Sequence, residues 1–133
     1  MFFAFLVSSA LMVFNSVALG QVLVSVHNNT DCSMNYYFEL YDGTTCSVVC
    51  SHSGTVGGSL SDDYLCQGVD PGDALMYVEA WDNDPTCQNG VKAEDYASGC
   101  GTGRSGSCQN NGCFGSGEEW SVSIISPNEF EIN

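Results

Sequence analysis

Met34-Asn35-Tyr36-Tyr37-Phe38-Glu39-Leu40-Tyr41 alternates with period two, placing Tyr36, Phe38 and Leu40 on one side and Tyr37, Glu39 and Tyr41 on the other. Successive side chains of a strand point to opposite faces, so this stretch predicts a half-buried β-strand. Asp42-Gly43 follows as a turn signal, and Thr44 to Cys50 is expected to return as the hairpin partner. On the N-terminal side, Gln21 to His27 is rich in β-branched residues, with Val22, Val24 and Val26 on one face. Asn28-Asn29-Thr30-Asp31 ends that strand with turn residues.

Further along, Ser51 to Ser61 is Gly/Ser-rich and reads as a loop with a short extended piece, and Asp63 to Gln67 reads as a short strand. Pro71-Gly72-Asp73 turns the chain into Ala74 to Trp81, expected to be a long strand, and Asp82 to Gly90 is a polar loop. Val91 to Tyr96 is open between a strand and one helical turn through Lys92-Ala93-Glu94. Ser98 to Gly117, rich in glycine and cysteine, is expected to be an irregular loop fixed by disulfides. Trp120 to Ile124 alternates as a core strand, and Pro127-Asn128 turns it into Glu129 to Asn133, expected at a sheet edge. No segment sustains a 3.6-residue period with caps. The chain is therefore expected to be all-β: a small disulfide-stabilised β-sandwich or barrel with long Gly/Ser-rich loops. The expected core is Tyr36, Phe38, Leu40, Val48, Leu75, Tyr77, Trp81, Trp120, Val122 and Ile124.

Residues 1–20 differ from the remainder. They hold no Lys, Arg, Asp or Glu, and an apolar run ends at Ala18-Leu19-Gly20, where small residues match a signal-peptidase site. This predicts a signal peptide over 1–20, cleavage between Gly20 and Gln21, and a single disulfide-rich β domain over 21–133. A membrane span needs about 20 continuous apolar residues, and Ser8, Ser9, Asn15 and Ser16 interrupt this run. The expectation is a secreted, extracellular protein with no membrane span after cleavage.

Eight cysteines follow the leader: Cys32, Cys46, Cys50, Cys66, Cys87, Cys100, Cys108 and Cys113. An even number behind a signal peptide predicts four disulfides, with the pairing left open among on the order of a hundred connectivities. A zinc site is disfavoured because the two histidines, His27 and His52, form no H-x3-5-H pair. Sixteen acidic residues against two basic ones give a net charge of −14. That disfavours nucleic acid as a structural partner and anionic membrane surfaces, since binding either relies on Lys and Arg. After secretion, Asn28-Asn29-Thr30 is an N-glycosylation acceptor at Asn28, expected in an exposed loop.

Few residues offer chemistry. No G-x-S-x-G elbow accompanies the histidines. If the protein were a hydrolase, His27, His52, Glu79 and Arg104 would supply base, acid and anion stabiliser, and they would have to converge in a cleft. Asp82, Asp84 and Asn89 put oxygen donors into one loop as a calcium candidate, but without the EF-hand pattern; solvated turn residues are the simpler reading. The Gly-rich run containing Gly103, Arg104 and Ser105 lacks a P-loop lysine and reads as a tethered recognition loop. Tyr37 and Tyr41, with Tyr64, are candidates for sugar stacking if their rings share one surface. No motif calls for a cofactor.

The residue types of the acid/base set, in an acidic chain poor in Lys and rich in Gly, Ser and Tyr, resemble the guanyl-type ribonucleases of fungi, which implies a small secreted hydrolase. The long helix of that family has no counterpart here. The opening Val24-x-Val26-x-Asn28-Asn29 followed by Cys32 is similar to the start of thaumatin-like proteins, which are larger and richer in cysteine. Hydrophobins carry adjacent Cys-Cys pairs that this chain lacks. The whole plan of leader, cysteines and short strands resembles the small secreted cysteine-rich proteins of fungi, many of them effectors acting on a host. That resemblance implies a non-enzymatic interaction protein with an extracellular protein or glycan target. An acidic hydrolase and a carbohydrate-binding module are the alternatives.

Overall fold

The computed structural model of the chain describes residues 20–81, 91–94, 100, 106–110 and 118–133. Nine strands and no helix occur among them: β1 (Gly20–Asn28), β2 (Met34–Tyr41), β3 (Val48–Val56), β4 (Ser61–Val69), β5 (Ala74–Trp81), β6 (Val91–Glu94), β7 (Gly106–Asn110), β8 (Glu118–Ser126) and β9 (Glu129–Ile132). They form a five-stranded sheet in the order β4-β1-β9-β8-β7 and a four-stranded sheet in the order β3-β2-β5-β6. The protein is thus a small disulfide-stabilised β-sandwich, with two separate sheets rather than a closed barrel. The expected leader lies outside the described residues, apart from Gly20, which begins β1.

The period-two stretch is β2, the second strand of the four-stranded sheet. Met34, Tyr36, Phe38 and Leu40 point inward and are almost fully buried. They meet Val24 and Val26 from β1, Val122 from β8, and Phe130 and Ile132 from β9 in one hydrophobic cluster. Burying each such side chain is worth about 1.5–3 kcal/mol. Phe38 and Tyr36 lie 6.3 and 5.8 Å from Phe130 between ring centroids, so β2 and β9 hold the sheets together at the centre.

Three of the ten expected core residues lie elsewhere. In the β2–β5 ladder Glu39 pairs with Tyr77 and Leu40 with Leu75, leaving Met76 as an extra residue. Leu75 enters the core cluster, Met76 is buried outside it, and past this bulge Tyr77, Glu79 and Trp81 stand on the outer face. Tyr77 and Trp81 are therefore not core. Val48 is 48% exposed because it opens the edge strand β3, beside a second bulge that leaves Val49 unmatched between Cys50 and Val48. Ile124 is half-buried and packs on the core rim, whereas Trp120 and Val122 are buried as expected.

Several segments expected to be loops are strands. Gly/Ser composition lowers strand preference, yet Val48–Val56 pairs along β2 from Val56 to Val48. Gly54 has a specific reason to be there. It sits opposite Tyr36, and a Cβ at this position would run into the Tyr36 ring and hydroxyl. Within the expected 98–117 loop, Gly106–Asn110 is β7, paired antiparallel with β8. Lys92-Ala93-Glu94 is not a helical turn: it forms β6 against β5, with Ala93 buried opposite Val78. The hairpin after β2 is closed by the loop 42–47 rather than a tight Asp-Gly turn. In that loop the Asp42 carboxylate accepts the Thr44 and Thr45 amides at 2.7 and 3.0 Å, which holds its carboxyl below the ordinary aspartate range. Finally, β9 is not an edge strand. It lies between β1, to which it runs parallel, and β8.

Two disulfides are fixed among the described residues. Cys46–Cys100 ties the 42–47 loop to position 100, and Cys50–Cys66 joins β3 to β4, the edge strands of the two sheets. Cys32 is disulfide-bonded as well, and no described cysteine is free. Cys108 lies on β7 opposite Trp120 in register; Cys87 and Cys113 lie outside the described residues. Beside the Cys50–Cys66 clasp, the Tyr36 hydroxyl donates to Asp62 across the sheets at 2.7 Å. Burial and that carboxylate together push the Tyr36 phenol far above its usual range.

Asn28 closes β1 and is 1% exposed, not in an open loop. Its amide nitrogen donates to the carbonyls of Cys32 (2.6 Å), Gly57 (3.0 Å) and Val56 (3.3 Å). Its amide oxygen accepts from the Thr30 amide (3.1 Å) and hydroxyl (2.6 Å). Both residues of the Asn28–Thr30 acceptor pair are consumed by this packing. A glycan on the Asn28 amide would have to displace it.

Candidate functional site

β2 and β5 carry the same outward pattern, an aromatic, a glutamate and an aromatic at every second position: Tyr37-x-Glu39-x-Tyr41 and Tyr77-x-Glu79-x-Trp81. All six side chains are half-buried on the outer face of the four-stranded sheet. The strands run antiparallel with Tyr37 opposite Glu79 and Glu39 opposite Tyr77, and Trp81 stands beside Asn35. The result is a chequerboard in which Tyr37 and Tyr77 each lie opposite a carboxylate of the other strand, while Tyr41 stands opposite Ala74. Same-face residues repeat every ~6.8 Å along a strand, so the zigzag Trp81, Tyr37, Tyr77, Tyr41 extends about 20 Å.

Hydrogen bonds fix the tyrosine hydroxyls. Tyr37 and Tyr41 donate to the two oxygens of Glu39 at 2.6 and 2.7 Å, and Tyr77 donates to Glu79 at 2.8 Å. The bond to Glu39 raises the Tyr37 phenol above its ordinary range, helped by desolvation and opposed by the Ser51 hydroxyl. The rings of Tyr37 and Tyr77 meet edge to face at 6.1 Å, a favourable aromatic geometry. From β6, Lys92 pairs in register with Glu79 and holds its ammonium 5.9 Å from the Tyr77 ring centroid, within cation–π range. On the opposite flank the exposed Ser51, Ser53 and Thr55 of β3 add a row of hydroxyls. Among the described side chains, this face presents aromatic surface, hydroxyls, the carboxylates of Glu39 and Glu79 and the ammonium of Lys92.

The three described members of the hydrolase set, His27, His52 and Glu79, do not converge. His27 is on the outer face of the five-stranded sheet, His52 is on the inward side of β3 at the sandwich mouth, and Glu79 is on the outer face of the other sheet. His52 stacks on Tyr64 of β4 at 3.8 Å, 14° from parallel, and closes that mouth beside Phe38. Tyr64 is thereby taken away from the other exposed tyrosines. Gly103, Arg104 and Ser105 lie outside the described residues, as do Asp82, Asp84 and Asn89. No metal-binding group of His, Cys, Asp and Glu occurs among the described residues.

His27 does have a serine and a carboxylate in reach: Ser61 Oγ at 2.8 Å from Nδ1 and Glu129 Oε1 at 3.4 Å from Nε2. These three side chains sit on neighbouring strands at one end of the sheet: Ser61 opens the edge strand β4, His27 lies near the end of β1 and Glu129 opens β9. The trio acts as a cross-strand polar link. A shallow depression of about 300 Å³ lies by Val22, Leu23, Pro71 and Pro127; its acidic residue, Asp73, is already bound to the Asp70 amide at 2.7 Å.

No protein-family model matches the chain, and no curated protein or solved structure matches it either. No helix of the described residues is long and apolar enough to cross a membrane. Of the face residues, Tyr37 and Tyr41 are legible from sequence as sugar-stacking candidates. Glu39, Tyr77, Trp81 and Lys92 are missed, although the repeated aromatic-x-Glu-x-aromatic pattern on two strands was the signal that could have found them.

Proposed function

We propose that this is a secreted, non-enzymatic interaction protein that binds a carbohydrate target on a cell surface or wall through the outer face of its four-stranded sheet. The observation that carries the reading is the alignment of Tyr37, Tyr41, Tyr77 and Trp81 on one surface, interleaved with Glu39 and Glu79. Aromatic rings take the C–H faces of sugars, and fixed carboxylates and hydroxyls accept and donate to sugar hydroxyls. The chequerboard stands on the middle strands of a rigid sheet, so little ordering entropy opposes binding. The disulfides, the apolar leader and the resemblance to secreted cysteine-rich effector-type proteins support an extracellular site of action, toward a host or another cell.

The test is a glycan-binding screen with folded, oxidised protein, run beside a pull-down of extracellular proteins and a hydrolysis panel for RNA and glycans. Saturable glycan binding without turnover, lost in Tyr37→Ser and Tyr77→Ser, is the expected result. These half-exposed positions lie off the core, so the variants should keep the wild-type far-ultraviolet dichroism. Glycan or RNA turnover abolished by changing His52 or Glu79 would replace this reading with a hydrolase.

A further inference from the structure

We infer that the glycan this face takes is an amine-bearing one, a linear oligosaccharide of amino sugars with free ammonium groups; this rests on the glycan-binding reading above. Neutral sugars need aromatic surface and hydrogen-bonding groups, but they do not need charge. Here two carboxylates are placed at the centre of the aromatic zigzag: Glu39 opposite Tyr77, and Glu79 opposite Tyr37. A carboxylate next to an aromatic face is a receptor for a cation, which gains from both the charge and the ring quadrupole.

The molecule already holds one ammonium against a ring of this face. The Lys92 ammonium stands in register with Glu79 and lies over the Tyr77 ring. Glu39 has no lysine opposite it: its cross-strand neighbours are Ser51 and Tyr77. Its two oxygens each accept one tyrosine hydroxyl, and a carboxylate has about four lone-pair sites, so acceptor capacity remains. Charge complementarity points the same way over the whole chain, since a net charge of −14 repels uronate or sulfated glycans and attracts polycations. The ~20 Å zigzag matches a short oligomer rather than one sugar. A basic peptide would meet the same carboxylates, but the hydroxyl row of Ser51, Ser53 and Thr55 along the β3 flank favours a polyhydroxylated ligand.

The experiment is calorimetric titration of the full, oxidised chain with glucosamine tetramer, N-acetylglucosamine tetramer and tetralysine. The free-amine glycan should bind at least about tenfold more tightly than its acetylated counterpart, and that margin should shrink with added salt. Glu39→Gln and Glu79→Gln should each remove about tenfold of the free-amine affinity while leaving the acetylated glycan unchanged. At position 79 the glutamine oxygen still accepts the Tyr77 hydroxyl. At position 39 it accepts one tyrosine hydroxyl while its NH2 donates to the other phenol oxygen, so far-ultraviolet dichroism should stay at wild type. Equal affinity for the two glycans, with loss in Tyr37→Ser, would overturn the ammonium inference and leave the glycan reading standing. Tighter binding of tetralysine than of either glycan would overturn the inference in favour of a basic peptide. Binding of none of the three would overturn the inference, and failure of every glycan in the wider screen would overturn the reading beneath it.

Discussion

Replacing Asn28 by aspartate changes one NH2 group to an oxygen, and the fold makes that change expensive. The Asn28 amide nitrogen faces three backbone carbonyls where the β1–β2 turn meets the end of β3, with those of Cys32 and Gly57 at 2.6 and 3.0 Å. A carboxylate there loses both donors and presents negative charge to acceptors, in a position that is 1% exposed. Two buried carbonyls left unsatisfied cost about 1–3 kcal/mol each, and the uncompensated charge adds to that. Asn28→Asp should therefore lose about 4 kcal/mol or more at neutral pH, a large share of the ~5–15 kcal/mol typical of a domain. The loss must depend on pH with a definite sign. Burial raises the folded-state pKa of the new acid above its unfolded value of about 3.9, so the folded state binds the extra proton. The variant is then penalised least at acid pH, and its deficit relative to wild type grows as pH rises, by up to ~1.4 kcal/mol per unit, until the folded-state pKa is passed. Urea unfolding followed by the fluorescence of Trp120, buried at 1%, measures this between pH 4 and 8. Gln67→Glu, the same amide-to-carboxylate change at an exposed position of β4, is the control and should change stability by no more than about 0.5 kcal/mol. An Asn28→Asp deficit below about 1 kcal/mol at pH 7, or one flat across this range, would refute the assigned role. The same packing predicts that folded protein from a eukaryotic secretory host carries an unmodified Asn28, as peptide mass mapping would show.

Gly54→Ala places a methyl into the Tyr36 ring, and overpacking of that kind should cost about 1–3 kcal/mol; an unchanged melting temperature would contradict the contact. Removing Cys50–Cys66, with its sequence separation of 16, should cost about 3 kcal/mol by loop-closure entropy, and Cys46–Cys100, with a separation of 54, about 4. Denaturant midpoints of the two double-alanine variants should fall in that order. Tyr36 and Tyr37 both have raised phenol pKa values, so the folded state holds protons that the unfolded chain releases above about pH 10. Stability from these groups is complete below that pH and is lost as pH rises beyond it. Phenolate absorbance should show a late step coincident with unfolding, and Tyr36→Phe should reduce it.

The fold class was legible because one strand states its period without ambiguity. Met34 to Tyr41 alternates perfectly, and its inward residues are the centre of the sandwich. The misreadings have local causes. Tyr77 and Trp81 were misplaced because the Met76 bulge shifts the alternation of β5, and a bulge has no signature in a strand of apolar residues. Ser51 to Ser61 read as a loop because serine and glycine lower strand preference, but tertiary pairing with β2 overrides it. Asn28 read as an exposed acceptor because the same Asn-x-Thr triplet that a glycosyltransferase recognises also builds a buried turn. The candidate face was half-visible. Its tyrosines could be listed, but which of them share a surface depends on register between strands that lie 40 residues apart in sequence, Tyr37 beside Glu79 or Glu39 beside Tyr77. Tyr64, which looks equivalent on paper, is instead taken up by His52.

The position of β9 governs the order in which this protein can be made. The five-stranded sheet has Glu129–Ile132 at its centre, parallel to β1 and antiparallel to β8, although β9 follows every other strand in the chain. A polypeptide that emerges N-terminus first can form the β2–β3 hairpin and oxidise Cys50 with Cys66 while later residues are still being added. It cannot join β1 to β8 until Phe130 and Ile132 have arrived. Until that moment the inner faces of both sheets stay open to solvent, and any cysteine pair formed earlier is formed without the native core to select it. Synthesis of this sandwich is therefore a race between oxidation and completion of the chain, and slowing the oxidant should raise the yield of correctly paired protein.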